Sequence, residues 1–213
     1  VNNLALVNRA KREAGIPGGN LVSINAAVGD SLRVVGWVDD AWRDVQQLQS
    51  QFGWRWMRAT ALGDVSAASM SYTIDALLGV TAGTTRFARW KPETQQYKVT
   101  AYLASQPQNE WPLHWLPYDL FRARFLVGQS MAGAPQFWSQ APDGSMLIGP
   151  TLDQAYKLRA DYFKSAQSLT ADTDTPDCPS EFHMIVCWRA IAEYGAYDAA
   201  PEVVSRAAAN YDS

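Results

Sequence analysis

The sequence predicts an α+β chain, with a helix bundle built from the N- and C-terminal helices and an inserted, mainly antiparallel β lobe. Three observations carry this. Apolar residues recur at three- and four-residue steps before residue 57 and again after 172, the period of an amphipathic helix. Between 58 and 171, short runs rich in Val, Thr, Tyr and Trp alternate with turn signals, as strands do. The chain has 213 residues, 47% of them hydrophobic and 18% charged, enough apolar side chains for a real core. The predicted domains are a discontinuous bundle, 1–57 with 172–213, and a β-rich lobe, 58–171.

The first helix spans 3–14, with Leu4, Val7 and Ala10 or Lys11 on one face and Asn3 as its cap. Gly15-Ile16-Pro17-Gly18-Gly19 ends it. Residues 21–24 are extended, and Asn25 offers a cap for a long second helix over 27–52. Leu32, Val35, Val38, Trp42, Val45, Leu48 and Phe52 form its apolar stripe, and Asp39 and Arg43 are spaced as an i,i+4 pair. Gly53 stops that helix. Trp54 and Trp56 follow where the bundle passes into the β lobe, and both are expected to be largely buried at that junction.

In the lobe, strands are expected at 71–74, 85–90, 97–103, 113–116, 136–140, 146–148 and 156–163. Leu158, Ala160 and Tyr162 alternate with Lys157, Arg159 and Asp161, the pattern of a half-buried strand. Pro142-Asp143-Gly144 reads as a hairpin turn. One helix, 118–127, follows Pro117. Residues 172–176 read as a polar linker, after which Asp177 caps, Pro179 fits the first turn and Glu181 adds favourable charge. Phe182, Ile185, Val186, Ile191 and Tyr194 are then expected to face inward. A last helix starts at Pro201 with Val203, Val204 and Ala207.

Charge excludes one class of function. Twenty-one acidic residues against 18 basic ones leave a net charge of −3, whereas a nucleic-acid clamp carries a basic excess. No apolar run approaches the roughly 20 residues of a membrane span, and Val1-Asn2-Asn3-Leu4 lacks the order of a secretory signal. Cys178 and Cys187, nine apart on a helix, would sit about 13 Å apart, too far for a disulfide. They read as free thiols.

Chemistry finds little purchase. His183 and Cys187 stand i,i+4 on one helix, a spacing open to a nucleophile pair or half a metal site. A Cys–His enzyme normally draws the two from separate elements, so a plain helix start is the simpler reading. Trp37 and Trp42, like Trp90, Trp111, Trp115 and Trp138 in the lobe, read as core or subunit interface rather than stacking platforms. There is no GxGxxG, GxxxxGK[ST] or GxSxG. No catalytic residue, cofactor or metal ligand is predicted.

Three pieces carry a likeness: Leu6-Val7-Asn8 with Ala14-Gly15-Ile16-Pro17; the long helix closing at Gly53-Trp54-Arg55-Trp56; and Pro176-Asp177-Cys178-Pro179 leading to Tyr194-Gly195-Ala196-Tyr197 and Ala199-Ala200-Pro201-Glu202-Val203. Their order resembles the head-to-tail adaptor proteins of tailed bacteriophages, such as the podophage tail tubular protein A family. The resemblance implies a structural virion protein of the neck, between capsid and tail, made in the bacterial host cytoplasm. It implies a ring of twelve identical subunits under the portal protein, extending the DNA channel without specific DNA binding and giving a downstream tail or nozzle protein its platform. It also implies that the carboxy-terminal segment docks on the portal, through Tyr194, Tyr197, Pro201, Val203, Val204 and Tyr211. Low charge and many aromatics suit large permanent interfaces, and a mildly acidic channel would let duplex slide. The alternatives are another neck or tail component, a tail terminator or tube protein, and, from a different class, a small Cys–His hydrolase or glycan-active protein.

Overall fold

The amino-terminal helix α1, Asn3–Ala14, begins one residue after its cap: the Asn2 side chain accepts the Ala5 amide, so Asn2 and not Asn3 is the N-cap. Asn3 is buried instead, and its Nδ2 donates to the Leu169 carbonyl at 2.9 Å. The computed structural model describes residues 1–48, 53–81, 85–91, 99–128, 131–198 and 200–211. They form two compact units, 1–57 with 166–213 and 58–165.

In the first unit, Ser23 caps a short 3-10 turn, Ile24–Ala26, so the long helix α2 starts later than the expected residue 27, at Asp30–Gln47 with Gly29 as cap. Asn25 caps nothing; its amide is the one Ser23 captures. The buried face of α2 is Val34, Val38, Ala41, Trp42 and Val45, while Leu32 and Leu48 are exposed. Helical geometry gives the reason. At about 100° per residue, Leu32 lies roughly 120° and Leu48 roughly 80° around the helix from Val38, beyond the arc that neighbours cover. Phe52 and the end of the expected helix lie outside the described residues, and Gly53 has φ 63°. Arg43 and Asp39 pair at 2.8 Å, as their spacing predicts.

Residues 166–176 are not a linker. Gln46 accepts the Gln167 amide and donates to its carbonyl, and Trp42 Nε1 donates to Gln167 Oε1. Asp172 Oδ1 accepts the Ile24 amide at 2.7 Å. The first-turn amides of α1, which no helical carbonyl can satisfy, donate to carbonyls here: Asn3 to Asp174 and Leu4 to Asp172. The polar residues that suggested a linker are the ones that fasten it.

A 3-10 turn, Ser180–Phe182, then leads into α5, His183–Tyr197. Pro179 stands at its start, but Asp177 does not cap: its own amide donates to Gln167. Val186, Cys187, Ala190 and Ile191 are buried, Ile185 and Tyr194 are partly so, and Phe182 is exposed. The last helix, α6, Pro201–Tyr211, packs on α5 with Ala207 fully enclosed. Its approach is close enough that a Cβ on Gly195 would lie 2.8 Å from Val204 Cγ2. Leu6, Val7, Val38, Trp42, Val186 and Ala207 make the centre of this core.

The second unit holds two sheets. In the larger, β1 (Arg58–Val65), β9 (Tyr156–Lys164), β4 (Val99–Tyr102) and β5 (Trp111–Pro112) lie in that order, and β3 (Phe87–Trp90) also pairs with β9, all antiparallel. In the smaller, β2 (Ser71–Tyr72), β8 (Met146–Gly149), β7 (Phe137–Gln140) and β6 (His114–Trp115) follow in order, with β6 and β7 parallel. Leu158, Ala160 and Tyr162 point into the core, as their alternation predicts. Asp143 Oδ1 accepts the Ser145 amide in the turn between β7 and β8.

Four elements differ from expectation. β1 was hidden by small residues: Ala59, Ala61 and Gly63 carry little strand propensity, yet a Cβ on Gly63 would lie 2.7 Å from Leu77 Cα. The space belongs to α3, Ile74–Leu78, which replaces the end of the expected strand at 71–74 because Thr73 Oγ1 caps the Ala76 amide at 3.1 Å. The expected strand at 113–116 shortens to β6, since the chain crosses from the larger sheet to the smaller at buried Leu113, between β5 and β6. The helix expected over 118–127 is α4, Tyr118–Phe121, continued by a π-helical turn, Arg122–Leu126.

Candidate functional site

His183 and Cys187 are the one pair the sequence offers for nucleophilic chemistry, and their partners decide its use. His183 is buried; Nε2 lies 3.0 Å from the Cys178 carbonyl and Nδ1 2.9 Å from the Val1 nitrogen. Cys187 donates to the Leu6 carbonyl at 3.4 Å. Burial pushes the Cys187 thiol up to about 12 and the Cys178 thiol up to about 11. A nucleophile needs a thiolate and a free base. Here both groups are engaged with backbone atoms and tie α1 and the 178 turn to α5. Among the described residues, no group of three or more His, Cys, Asp or Glu is arranged to hold a metal. Nor is any described helix long and apolar enough to cross a membrane.

What the first unit presents instead is aromatic surface. Tyr194 and Tyr197, one turn apart at the end of α5, both meet Trp37 of α2, with ring centroids 6.0 and 5.6 Å apart. The Arg33 guanidinium lies 4.5 Å over the Tyr197 ring, donates to its hydroxyl and pairs with Asp30 at 3.0 Å. Tyr194 donates to Asp198 at 3.1 Å; burial and that hydrogen bond hold its hydroxyl above the usual tyrosine range. Tyr197 is 55% exposed. The result is a cluster of mutually tilted aromatic rings edged by one cation and two carboxylates.

The other residues expected to dock lie at three different places along α6. Pro201 is exposed at the first position of α6. Val203 and Val204 are half-buried and turned toward Gly195, so they fasten α6 to the bundle. Tyr211 lines a separate concavity of about 410 Å³ with Asp44, Leu48 and Arg189. Sequence reading missed Arg33 and Trp37 as members of the face. Their i,i+4 spacing places them on one side of α2, and that was the available signal.

Trp54 and Trp56 build a second feature. Trp56 stacks between Trp42 and Trp54, with centroids 5.2 and 5.8 Å apart and planes within 19° and 17°. Trp54 Nε1 donates to the Val45 carbonyl at 2.7 Å. Both rings are half-buried rather than enclosed. They wall a cavity of about 240 Å³ whose other sides are Val45, Arg55, Cys178, Pro179, Phe182 and Ile185. Such a cavity accepts an apolar side chain and offers nothing for acid–base work.

Against known proteins, the family model described as SU10 adaptor protein matches residues 4–213. No curated protein matches.

Proposed function

Because this chain belongs to the SU10 adaptor protein family, a family of phage adaptors, we propose that it is a head-to-tail adaptor of the virion neck. In this reading, identical subunits, twelve in number, form a ring under the portal protein. The ring extends the DNA channel, binds no DNA sequence and gives a downstream tail or nozzle protein its platform. The narrower likeness to the podophage tail tubular protein A branch belongs to the same proposal, as does synthesis in the host cytoplasm before assembly.

One observation carries the reading: the family match runs through both units, from residue 4 to residue 213, so the whole chain, and not one helical end, shares the family pattern. The aromatic face at Tyr197 supports portal docking at the carboxy-terminal end. Exposed Tyr, Trp and Arg side chains supply large contact area at low entropy cost, and such residues dominate interface energetics. Docking then uses Arg33, Trp37, Tyr197 and Pro201 from a preformed surface. A structural protein of this kind performs no covalent chemistry, in keeping with a His183–Cys187 pair spent on backbone contacts.

Electron microscopy of the protein mixed with its cognate portal tests the reading. Twelve-fold rings seated on the portal are expected; six-fold rings would point to a terminator, and free protein beside bare portals would remove the adaptor role. Tyr197→Ala is expected to weaken portal binding by about tenfold or more while leaving the circular dichroism spectrum unchanged.

A further inference from the structure

The apolar positions of α2 that the core leaves out lie beside a groove. Leu32 is 57% exposed, and with Ile24, Val35, Gly36 and Leu169 it lines a concavity of about 400 Å³. Gly36 is exposed with nothing near its missing side chain, so a partner can approach the helix backbone closely there. The surroundings are acidic: α2 carries four Asp against two Arg. Three of those carboxylates have partners, Asp30 with Arg33, Asp39 with Arg43 and Asp44 with Arg189. Asp40 is exposed and has no ion pair among the described residues.

The second unit carries the opposite surface. Around α4 and the π-helical turn, Leu120, Leu126 and Val127 are 59%, 42% and 66% exposed, three large apolar side chains within eight residues of chain. Two cations flank them. Arg124 lies 4.4 Å over the Phe137 ring, which holds its head at the surface, and Arg122 is exposed with no ion pair among the described residues.

We propose that this patch of one copy, Leu120, Leu126 and Val127 with Arg122, seats in the Leu32–Gly36 groove of a second copy beside Asp40. Exposed apolar side chains meet a concavity whose lining joins Ile24, Val35 and Leu169 with Asn25, Asp39 and Thr170, and a cation without an ion pair among the described residues meets a carboxylate without one. Because the two patches differ, the contact is head-to-tail: each copy offers the apolar patch to one neighbour and the groove to the other. Such contacts close into rings or run on as filaments. The inference rests on the ring reading above for its closure, but the contact itself is tested separately.

Full-length Leu32→Cys protein is mixed with full-length Val127→Cys protein in the presence of portal and treated with a short bismaleimide. The native thiols stay silent because both are buried. The expected product is a 32–127 adduct, about tenfold above the 32–32 and 127–127 adducts. Adding Arg122→Glu to the Val127→Cys chain should lower that yield about tenfold, and adding Asp40→Arg to the Leu32→Cys chain should restore it. Microscopy of the unmodified protein reads the ring independently. Rings without a 32–127 adduct overturn the contact and leave the ring reading standing. The adduct without rings upholds the contact and removes the ring. A 32–32 adduct in excess means a two-fold contact and overturns the proposal, as does a portal–adaptor adduct at residue 32, which would assign the groove to the portal.

Discussion

Single side chains in this protein show how one atom sets a helix's position. Gly195 lets α6 lie against α5, and a methyl group there would press on Val204 Cγ2 at 2.8 Å and on the Val204 backbone nitrogen at 3.1 Å. Gly195→Ala should therefore destabilise the first unit by about 1–3 kcal/mol, read as a lower urea midpoint at unchanged slope. Trp56 lies between two other indoles, so Trp56→Ala should cost about 3 kcal/mol, and Trp54→Ala less, since Trp54 has one stacking partner. The two thiols make stability pH-dependent. An unfolded thiol ionises near 9, whereas burial keeps Cys178 and Cys187 protonated to about 11 and 12. Above pH 9 the unfolded chain thus binds fewer protons, and stability falls until the folded values are passed. Thermal unfolding between pH 8 and 11 should show this fall, with a shallower slope in Cys187→Ala. At this scale the sequence was only partly legible. The residue types for caps were visible, yet Asn2 and Ser23 took the roles that Asn3 and Asn25 resembled, because a cap is fixed by which backbone turn starts first.

Elements were read best where one face is buried along a whole run. α1 and β9 show their period in the chain itself, and each lies where that period predicts. Failure came where the deciding contact is remote. β1 is a strand because β9 pairs with all eight of its residues, from Arg58↔Phe163 to Val65↔Tyr156, and nothing in its own Ala- and Gly-rich composition says so. The 172–176 segment looked like a linker because its polarity is visible and its acceptors' partners, the amides of Asn3, Leu4 and Ile24, are 148 or more residues away. That segment gives a direct test. Asp172→Ala leaves the buried Ile24 amide without its acceptor and should cost about 1–3 kcal/mol, with faster hydrogen exchange at Ile24. Asp172→Asn, which keeps the acceptor, should recover most of the loss. The aromatic face has the same character: Arg33 and Trp37 belong to it only because α5 delivers Tyr194 and Tyr197 beside α2.

At the scale of the whole molecule, surfaces were not legible in the sequence. An exposed Leu32 and a buried Val38 look alike in a one-dimensional pattern, and only packing distinguishes the groove from the core. A protein whose two cores enclose most of its large apolar side chains should stay monomeric or weakly associated at micromolar concentration without a portal; sedimentation velocity checks this, and a stable dodecamer of pure protein would contradict it. The interrupted first unit also sets the order of events at birth. Its opening 57 residues can meet the rest of their unit only after residues 58–165 have been made, so on the ribosome α1 and α2 emerge long before α5 exists. The intervening unit is one uninterrupted stretch and should fold first, shortening the distance over which the chain ends must search for each other. A host that translates this message slowly thereby gives the nascent helices more time uncovered, and chaperone occupancy on stalled chains should peak before residue 183 leaves the exit tunnel and fall once α5 can close over α1 and α2.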